Sequence, residues 1–333
     1  MIEEIIYKNY GIHVEKEESL GQFPSFRSEN VLYSIIPLEK LEQEELVERQ
    51  KMSEHLSQQG DRYVSSFVMA NHQSYISEAD GHMFLLLANN VLAEGRDLRL
   101  GRKLALFHAR ARSITYPIKK CSRLGNWKIL WEQRIDQLEK MWKDKLHAHP
   151  NNQFEKLFVE TFPYYMALGE NAIQYLADTE IDDNPSAMDA GTICYDRFAN
   201  DTWSGKYCIK NPFDWIFDNG SRDISEWIRQ HYFKNQQTYQ PGLQQFLHDY
   251  QSVQPLTSFS SRLLYARLIF PIHYFETIEG YYSNPAEARS LQLEDEITVY
   301  TEKSVYYEEF LRSFYDMAGI PVKQMNIPLL SWL

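Results

Sequence analysis

Cysteine is scarce in this chain of 333 residues, and its three copies lack metal-binding spacing. Cys121, Cys194 and Cys208 form no CxxC pair, which argues against a zinc site and against a disulfide framework. A redox or nucleophilic role would need a nearby base and an electropositive setting. The sequence offers neither around Cys194 and Cys208, so we predict buried free thiols and synthesis in a reducing compartment.

Positive charge is also in short supply. The chain has 34 basic against 46 acidic residues, a formal net charge of −12, and no dense run of Lys or Arg. Binding to duplex nucleic acid or to an anionic membrane requires clustered basic residues, so we expect neither partner. No apolar run approaches the length of a membrane span. The N-terminal MIEEIIYKNYG is acidic and amphipathic, which predicts no signal peptide and synthesis in the cytoplasm.

Apolar residues are plentiful, at 44% of the chain, and 14% of the chain is aromatic. At this length the composition predicts one large domain or two lobes. Residues 1–89 predict a small α/β lobe, with a short helix at 3–9 and a longer one at 38–59. Strands are predicted around these helices, at residues 13–16, 25–27, 31–36, 63–70, 74–77 and 82–87.

Residues 90–333 are predicted to be mostly helical, with helices at 98–113, 154–176, 221–233, 244–250, 259–282 and 294–317. Pro271 is expected to kink or divide the helix that contains it. Asp223 is expected to cap and orient the helix over 221–233. A further long helix is indicated by five apolar residues at helical spacing, which predict core packing: Trp127, Trp131, Ile135, Leu138 and Trp142.

Three aspartates lie in residues 192–215, TICYDRFANDTWSGKYCIKNPFDW, at intervals of five and thirteen residues. Phosphoryl transfer needs a carboxylate that orients and deprotonates the acceptor hydroxyl, and oxygen ligands that hold Mg²⁺. Asp196 would supply the first function, and Asp201 with Asp214 the second. The alternative is that all three are ordinary loop and turn residues, where Asp is common.

This spacing resembles the catalytic segment of the aminoglycoside-phosphotransferase and choline-kinase superfamily, a His-x-Asp loop followed by an Asn and then by an Asp before an aromatic residue. Asp196 matches the catalytic Asp, Asp201 replaces the Asn, Asp214 matches the metal-binding Asp, and Cys194 stands where the His would be. The resemblance implies a two-lobed, protein-kinase-like α+β fold. Its small N-lobe (1–89) would hold an antiparallel sheet and a helix, and its large, mainly helical C-lobe (90–333) would carry the loop.

Longer segments narrow this resemblance. SRDISEWIRQHY, SSRLLYARLIFPIHYFETIEGYY and IKNPFDWIFD are similar to segments of the YutH branch of the spore coat CotS-type proteins of Bacilli. That likeness implies a soluble protein that is made in the mother cell, reaches the spore coat, and has other coat proteins as partners. A small-molecule ligand in the cleft between the lobes is a further expectation.

Two parts of a working nucleotide site are missing or altered in the N-lobe. The strand VLYSIIP has no Lys for the α- and β-phosphates, because Ser34 or Ile36 stands at the corresponding position. Lys40 lies beyond the strand and would have to reach back. Glu48, the candidate partner of that Lys in the following helix, is then predicted to be a solvated surface residue.

The loop that would cover the phosphates is equally weak. Gly21 is its only glycine, and bulky Phe23 and Phe26 are expected to impede the close backbone approach of a phosphate cradle. Together with the change at Cys194, these features favour a catalytically impaired pseudokinase that is a structural or interaction component of the coat and needs no cofactor. The alternative is an active phosphotransferase that uses ATP and Mg²⁺ on a small hydroxyl- or amine-bearing metabolite.

Overall fold

The computed structural model describes residues 2–20, 23–38, 42–92, 99–203, 206–283 and 287–332. The chain divides into two compact units. The first unit comprises Met1–Arg123, Gly191–Gln230 and Ser252–Gln254, and the second comprises Leu124–Ala190, His231–Gln251 and Pro255–Leu333. The predicted division of the chain into residues 1–89 and 90–333 stays a prediction.

An antiparallel sheet of six strands forms the N-terminal part of the first unit. Its strands are β1 (Lys16–Leu20), β2 (Phe23–Ser28), β3 (Val31–Pro37), β4 (Ser66–Phe67), β5 (Ser77–Ala79) and β6 (His82–Asn89). The order is β1-β2-β3-β6-β4, and β5 pairs with β6. Asp80 and Gly81, both at positive φ, make the two-residue turn between β5 and β6, which suits Asp-Gly in a tight hairpin.

The two faces of this sheet have different partners. One face packs Phe26 and Leu86 with Ile6 and Tyr10 of helix α1 (Ile2–Tyr10). The opposite face buries an apolar cluster of Ile36, Leu38, Leu46, Leu85 and Leu87, against which Phe23, Phe67, Ile76 and Phe213 pack. Residues alternate between the two faces along β3 and β6, as the pleat of a strand requires.

Helix α2 (Gln43–Gln58) and strand β1 differ from their predicted bounds. The start of α2 at residue 38 was wrong, because the Leu38 amide donates to the Met83 carbonyl at 2.9 Å and continues the sheet. The strand predicted at 13–16 is displaced to β1, which pairs Lys16 with Arg27 and continues to Leu20. The strand predicted at 63–70 keeps only β4. Gly21 and Lys40, on which two predictions rested, lie outside the described residues.

Two helices and a pair of strands complete the first unit around the aspartate segment. Helix α3 (Leu100–Ala111) and helix α6 (Ser221–Lys234) confirm the predicted helices, and the last four residues of α6 belong to the second unit. Strands β7 (Thr192–Tyr195) and β8 (Trp215–Asp218) form a separate antiparallel pair. Among the described residues, no helix is both long enough and apolar enough to cross a lipid bilayer.

The second unit is built from helices. They are α4 (Trp127–Ala148), α5 (Gln153–Asp182), α7 (Tyr239–Gln251), α8 (Ser258–Ile269), α9 (Ile272–Ser283), α10 (Glu287–Glu302) and α11 (Ser304–Met317). Pro271 divides α8 from α9 as predicted, since proline cannot continue the helical hydrogen bonds. The single helix predicted at 294–317 was wrong, because the chain leaves helical geometry at Lys303, the residue before α11.

The tryptophan stripe of α4 confirms the predicted core. Trp127, Trp131, Ile135 and Leu138 are all buried, and the Trp131 ring stacks on Phe270 with centroids 4.3 Å apart. Trp142, at the end of the stripe, lies nearer the surface and donates its indole N–H to the Val159 carbonyl at 2.9 Å. The stripe therefore serves packing inside the second unit and offers no ligand box.

Candidate functional site

The β7–β8 pair brings two of the three predicted aspartates together. Thr192 pairs with Asp218 and Tyr195 with Trp215, so that Asp196 directly follows β7 and Asp214 directly precedes β8. The Asp196 amide donates to the Asp214 carbonyl at 2.8 Å. Asp201 is exposed in the turn that follows, and within the described part of the chain no hydrogen bond or ion pair joins it to the other two.

Asp196 is open to solvent but shares its carboxylate with an arginine. Its side chain is 61% exposed, and Arg222 on the first turn of α6 donates to its Oδ1 at 3.1 Å and to its carbonyl at 3.0 Å. The same guanidinium reaches Oδ2 of buried Asp218 at 3.3 Å. Part of the acceptor capacity of Asp196 is thus used inside the protein, which leaves less of the carboxylate for an incoming hydroxyl. The sequence analysis missed Arg222, because its partner Asp196 lies 26 residues away in the chain.

Asp214 is held in a partly buried turn below the sheet. It ends a short 3-10 turn (Pro212–Asp214) whose start is capped by Asn211, which accepts from the Phe213 amide at 3.0 Å. Burial raises the pKa of Asp214 to about 6, Arg49 opposes this rise, and Asp196 adds to it. A raised acid pKa beside a second carboxylate is the environment in which a cation would be stabilising.

Arg49 of α2 fixes the backbone on both sides of Asp214. Its guanidinium donates to the carbonyls of Pro212 at 2.8 Å and Trp215 at 3.2 Å, and lies over the Phe213 ring. Glu45, one turn earlier in α2, holds the guanidinium from the other side. No sequence pattern pointed to this contact, because the partners are 163 and 166 residues apart.

Asp223 orients the loop by accepting hydrogen bonds from outside its own helix. Both carboxylate oxygens accept from the Tyr195 amide at 3.1 Å, and His108 Nε2 lies 3.1 Å from Oδ2. Burial raises the pKa of Asp223, and His108 and the Tyr195 amide oppose that rise. Asp223 was predicted to cap and orient its own helix. The capping role was wrong, because the side chain contacts Tyr195 of β7 and His108 of α3, and these contacts hold α6 beside the loop.

Cys194 completes a fully buried trio with His108 and Asp223, whose ligand atoms all lie within 4.8 Å of one another. The set could hold a soft divalent metal only if the bond between His108 and Asp223 were broken. The Cys194 thiol instead donates to the carbonyls of Asp218 and Asn219 at 3.7 and 3.5 Å. It is a buried free thiol, as predicted, and Cys208 is half-buried.

Glu48 has a different role from the one predicted. It is buried, and its carboxylate accepts from the amides of Lys119, Lys120 and Cys121 at 2.8, 3.0 and 2.8 Å. Burial alone would raise the pKa of Glu48, but these amides lower it below its ordinary value. The prediction of a solvated surface residue was wrong, because the segment that it binds is far away in the sequence.

The sheet face above α2 lacks the basic group that nucleotide phosphates would need from β3. Ser34 Oγ meets Ser25 Oγ on β2 at 3.3 Å. Arg27, on the same face, pairs with Glu18 at 3.2 Å and donates to the Tyr207 hydroxyl at 2.8 Å. Phe26 points to the opposite face, so its predicted interference with a phosphate cradle was wrong. Within the described residues these groups do not fit nucleotide phosphates.

One protein family and one relative match most of this chain. Residues 3–314 match the family described as "Spore coat putative kinase YutH". The chain is 38% identical over 335 residues to the endospore coat-associated protein YutH of Bacillus subtilis (strain 168), covering 100% of this chain and 98% of the relative.

Solved structures share the fold at low sequence identity. An aminoglycoside phosphotransferase from Alicyclobacillus acidocaldarius superposes with a TM-score of 0.70 at 14% identity, covering 95% of this chain and 96% of that one. A microcompartment-associated aminopropanol kinase superposes with a TM-score of 0.59 at 12% identity, covering 96% and 98%. The predicted fold class is thereby confirmed, and the chain belongs to the YutH family of spore coat proteins with a kinase-like fold.

Proposed function

We propose that this protein is a component of the endospore coat in which a kinase-like fold has lost efficient phosphotransfer and provides structure or interactions. The name of its Bacillus subtilis relative, an endospore coat-associated protein, supports this location. Its proposed partners are other coat proteins. Synthesis in the cytoplasm of the mother cell would precede assembly.

The observation that carries the proposal is that the Glu48 carboxylate is already bound by backbone amides. In a working kinase the Glu of this helix positions the Lys that binds the α- and β-phosphates. Here Glu48 accepts from three backbone amides, and strand β3 has Ser34 and Ile36 on the face that such a Lys would occupy. A carboxylate with three charge-assisted bonds in a buried site is costly to redirect. The buried charge of Glu48 is therefore accounted for by its backbone partners and does not require a bound nucleotide.

Asp196 and Asp214 favour the second candidate, an active phosphotransferase that uses ATP and Mg²⁺ on a small hydroxyl- or amine-bearing metabolite. Their adjacency and the raised pKa of Asp214 fit a cation held by carboxylate oxygens. If the site is active, Asp196 would orient the acceptor hydroxyl, and Asp201 with Asp214 would hold Mg²⁺, which would neutralise charge on the phosphates. The Arg222 contact weakens this candidate, because it engages the same Asp196 carboxylate.

Thermal unfolding with and without millimolar Mg²⁺-ATP tests the choice. A ligand at about a hundred times its dissociation constant adds about 2.7 kcal/mol, which shifts the midpoint by a few degrees. We expect no shift for the native chain. A shift that disappears in Asp214→Asn but persists in Asp316→Asn, an exposed control on α11, would replace the proposal by the active enzyme.

Coat association is tested separately. A fluorescently tagged chain, expressed during sporulation of Bacillus subtilis, should collect at the developing spore and be recovered in the extracted coat fraction. Uniform fluorescence in the mother cell throughout sporulation would contradict the proposed location, whatever the nucleotide experiment shows.

A further inference from the structure

A pocket of about 400 Å³ opens in the first unit away from the aspartates. None of Asp196, Asp201 and Asp214 lines it. Four of its lining side chains are basic and one is a carboxylate. They are Arg62, Lys103, Arg110 and Lys210, with Asp61, and they lie beside the thiol of Cys208. We call this site the cationic pocket. Basic side chains thus outnumber acidic ones in this lining, although the chain has a formal net charge of −12.

Helix α3 forms one wall of the cationic pocket by its periodicity. Lys103, Leu106 and Arg110 recur at three and four residues and line the pocket, which places them on one helix face. The buried residues Leu104, Phe107, His108 and Ala111 lie on the other faces, in the core of the unit. A rigid helix thus presents two of the four cations at fixed separation.

The opposite wall is fixed by backbone hydrogen bonds. The Lys210 amide donates to the Tyr63 carbonyl at 2.9 Å, and the Ser65 amide donates to the Lys210 carbonyl at 3.0 Å. These bonds tie Lys210 to the segment that carries Asp61 and Arg62. The backbone of this wall is therefore positioned by the fold before any ligand arrives, which reduces the entropy cost of binding.

Asp61 contacts two of the cations that line the pocket. Its carboxylate is nearly inaccessible, and Oδ2 lies 2.5 Å from Lys210 Nζ and 3.6 Å from Arg110. One carboxylate thus serves two cations, and Arg62 adds a further positive charge to the same pocket. A concave surface with this balance concentrates anions, and arginine in particular matches the oxygens of a phosphate with its planar fork.

We propose that the cationic pocket binds a small phosphorylated metabolite, a phosphate monoester of about the size of a sugar phosphate. The volume lies in the range of small-molecule sites. Arg62, Lys103 and Arg110 would hold the phosphate, and Leu106, with 37% of its surface exposed, offers apolar contact to the organic part. The inference stands apart from the proposed function, since it uses none of the residues of the aspartate site.

Cys208 gives a direct readout of occupancy. It lines the pocket and is half-buried, whereas Cys121 and Cys194 are buried. Burial raises the pKa of the Cys208 thiol, so alkylation is followed at mildly alkaline pH. The rate of iodoacetamide labelling at each cysteine is measured by peptide mass spectrometry, and unreactive Cys121 and Cys194 report an intact fold in every variant.

Glycerol 3-phosphate is the probe, and glycerol and inorganic phosphate are its matched controls. We expect millimolar glycerol 3-phosphate to slow labelling of Cys208 at least fivefold and glycerol to leave it unchanged. Lys103→Met and Arg62→Met should each weaken that protection about tenfold, in line with the loss of one charge-assisted bond. Arg102→Met, next to Lys103 on α3 but outside the pocket, should bind like the native chain.

Three results would overturn the proposal. One is equal labelling of Cys208 with and without glycerol 3-phosphate at concentrations up to about 10 mM. Binding would then be weaker than a specific metabolite site requires. Another is protection that survives both Lys103→Met and Arg62→Met. The third is equal protection by inorganic phosphate and glycerol 3-phosphate, which would reduce the pocket to a simple ion site.

Discussion

The aspartate site and the sheet face above α2 belong to the same unit but differ in what their charged groups contact. Around β7 and β8, Asp223 accepts from the Tyr195 amide and so positions Asp196, while Asp214 stays close by. On α2 the Glu48 carboxylate accepts hydrogen bonds from backbone amides, and on the sheet face above it Arg27 pairs with Glu18. In the first region the Asp196 carboxylate is exposed to solvent, whereas in the second the Glu48 carboxylate is buried.

This difference indicates which parts of a kinase-like fold can be lost without loss of the fold. Glu48 and Asp223 are both buried carboxylates that accept backbone N–H bonds, so each stabilises the fold whether or not a nucleotide binds. A phosphate-binding Lys on β3 would have contributed only with its ligand present. Under the proposed function, Ser34 can stand at that position because its hydroxyl bonds to Ser25 within the sheet.

The largest expected effect comes from Glu48→Gln. Three amides would lose an ionised acceptor in a buried site, which typically costs about 3–5 kcal/mol in the free energy of unfolding. Urea unfolding of this variant should be compared with that of Glu54→Gln. Glu54 forms an exposed ion pair with Lys51 on the same helix, and its substitution should lower the free energy of unfolding by less than about 1 kcal/mol. Equal stability of both variants would remove the structural role of Glu48 and with it the contrast between the two regions.

Asp214→Asn is expected to stabilise the protein at neutral pH. The folded pKa of about 6 lies above the ordinary value of 3.8, so the folded state binds the proton more tightly than the unfolded chain. The resulting stability is fully present below about pH 3.8 and is lost as the pH rises through about 6. At about pH 7.5 the charge corresponds to about 3 kcal/mol at most, and partial contact with water reduces our expectation to about 2 kcal/mol.

Urea midpoints of native chain and Asp214→Asn at about pH 7.5 and at about pH 3.5 measure this difference, which should nearly vanish at the lower value. A carboxylate that lowers stability at neutral pH is retained for a reason other than folding, and cation binding is one such reason. A variant less stable than the native chain at both values would mean that Asp214 is a structural residue like Glu48.

Arg222→Lys is expected to have the smallest effect, a loss of about 1 kcal/mol in stability. A lysine keeps the charge, but its single ammonium cannot reach Asp196 and Asp218 in the two-pronged geometry of the guanidinium. Arg312→Lys on α11, which is exposed, serves as the control and should leave the midpoint unchanged. If both variants behave alike, Arg222 does not restrain Asp196, and the aspartate site is more available than the contacts indicate.

Much of the fold could be predicted because its signals are local. Apolar periodicity predicted α4, resemblance to the helices of the superfamily predicted α3 and α6, and Pro271 marked the division between α8 and α9. Sequence alone placed α2 and β1 with errors of a few residues, since hydrogen bonds to neighbouring strands decide where those elements begin. The break before α11 carries no Pro or Gly, so the periodic pattern ran through it.

The sequence by itself determined the family, the two-part composition of sheet and helices, and the three aspartates whose catalytic and metal roles stay predictions. Only the tertiary structure decided what the charged groups contact. Glu48 meets amides 71 to 73 residues away, and Arg49 meets carbonyls 163 and 166 residues away. Periodicity and turn chemistry arise between neighbours in the chain, whereas the partner of a buried charge is set by which distant segments the fold packs beside it.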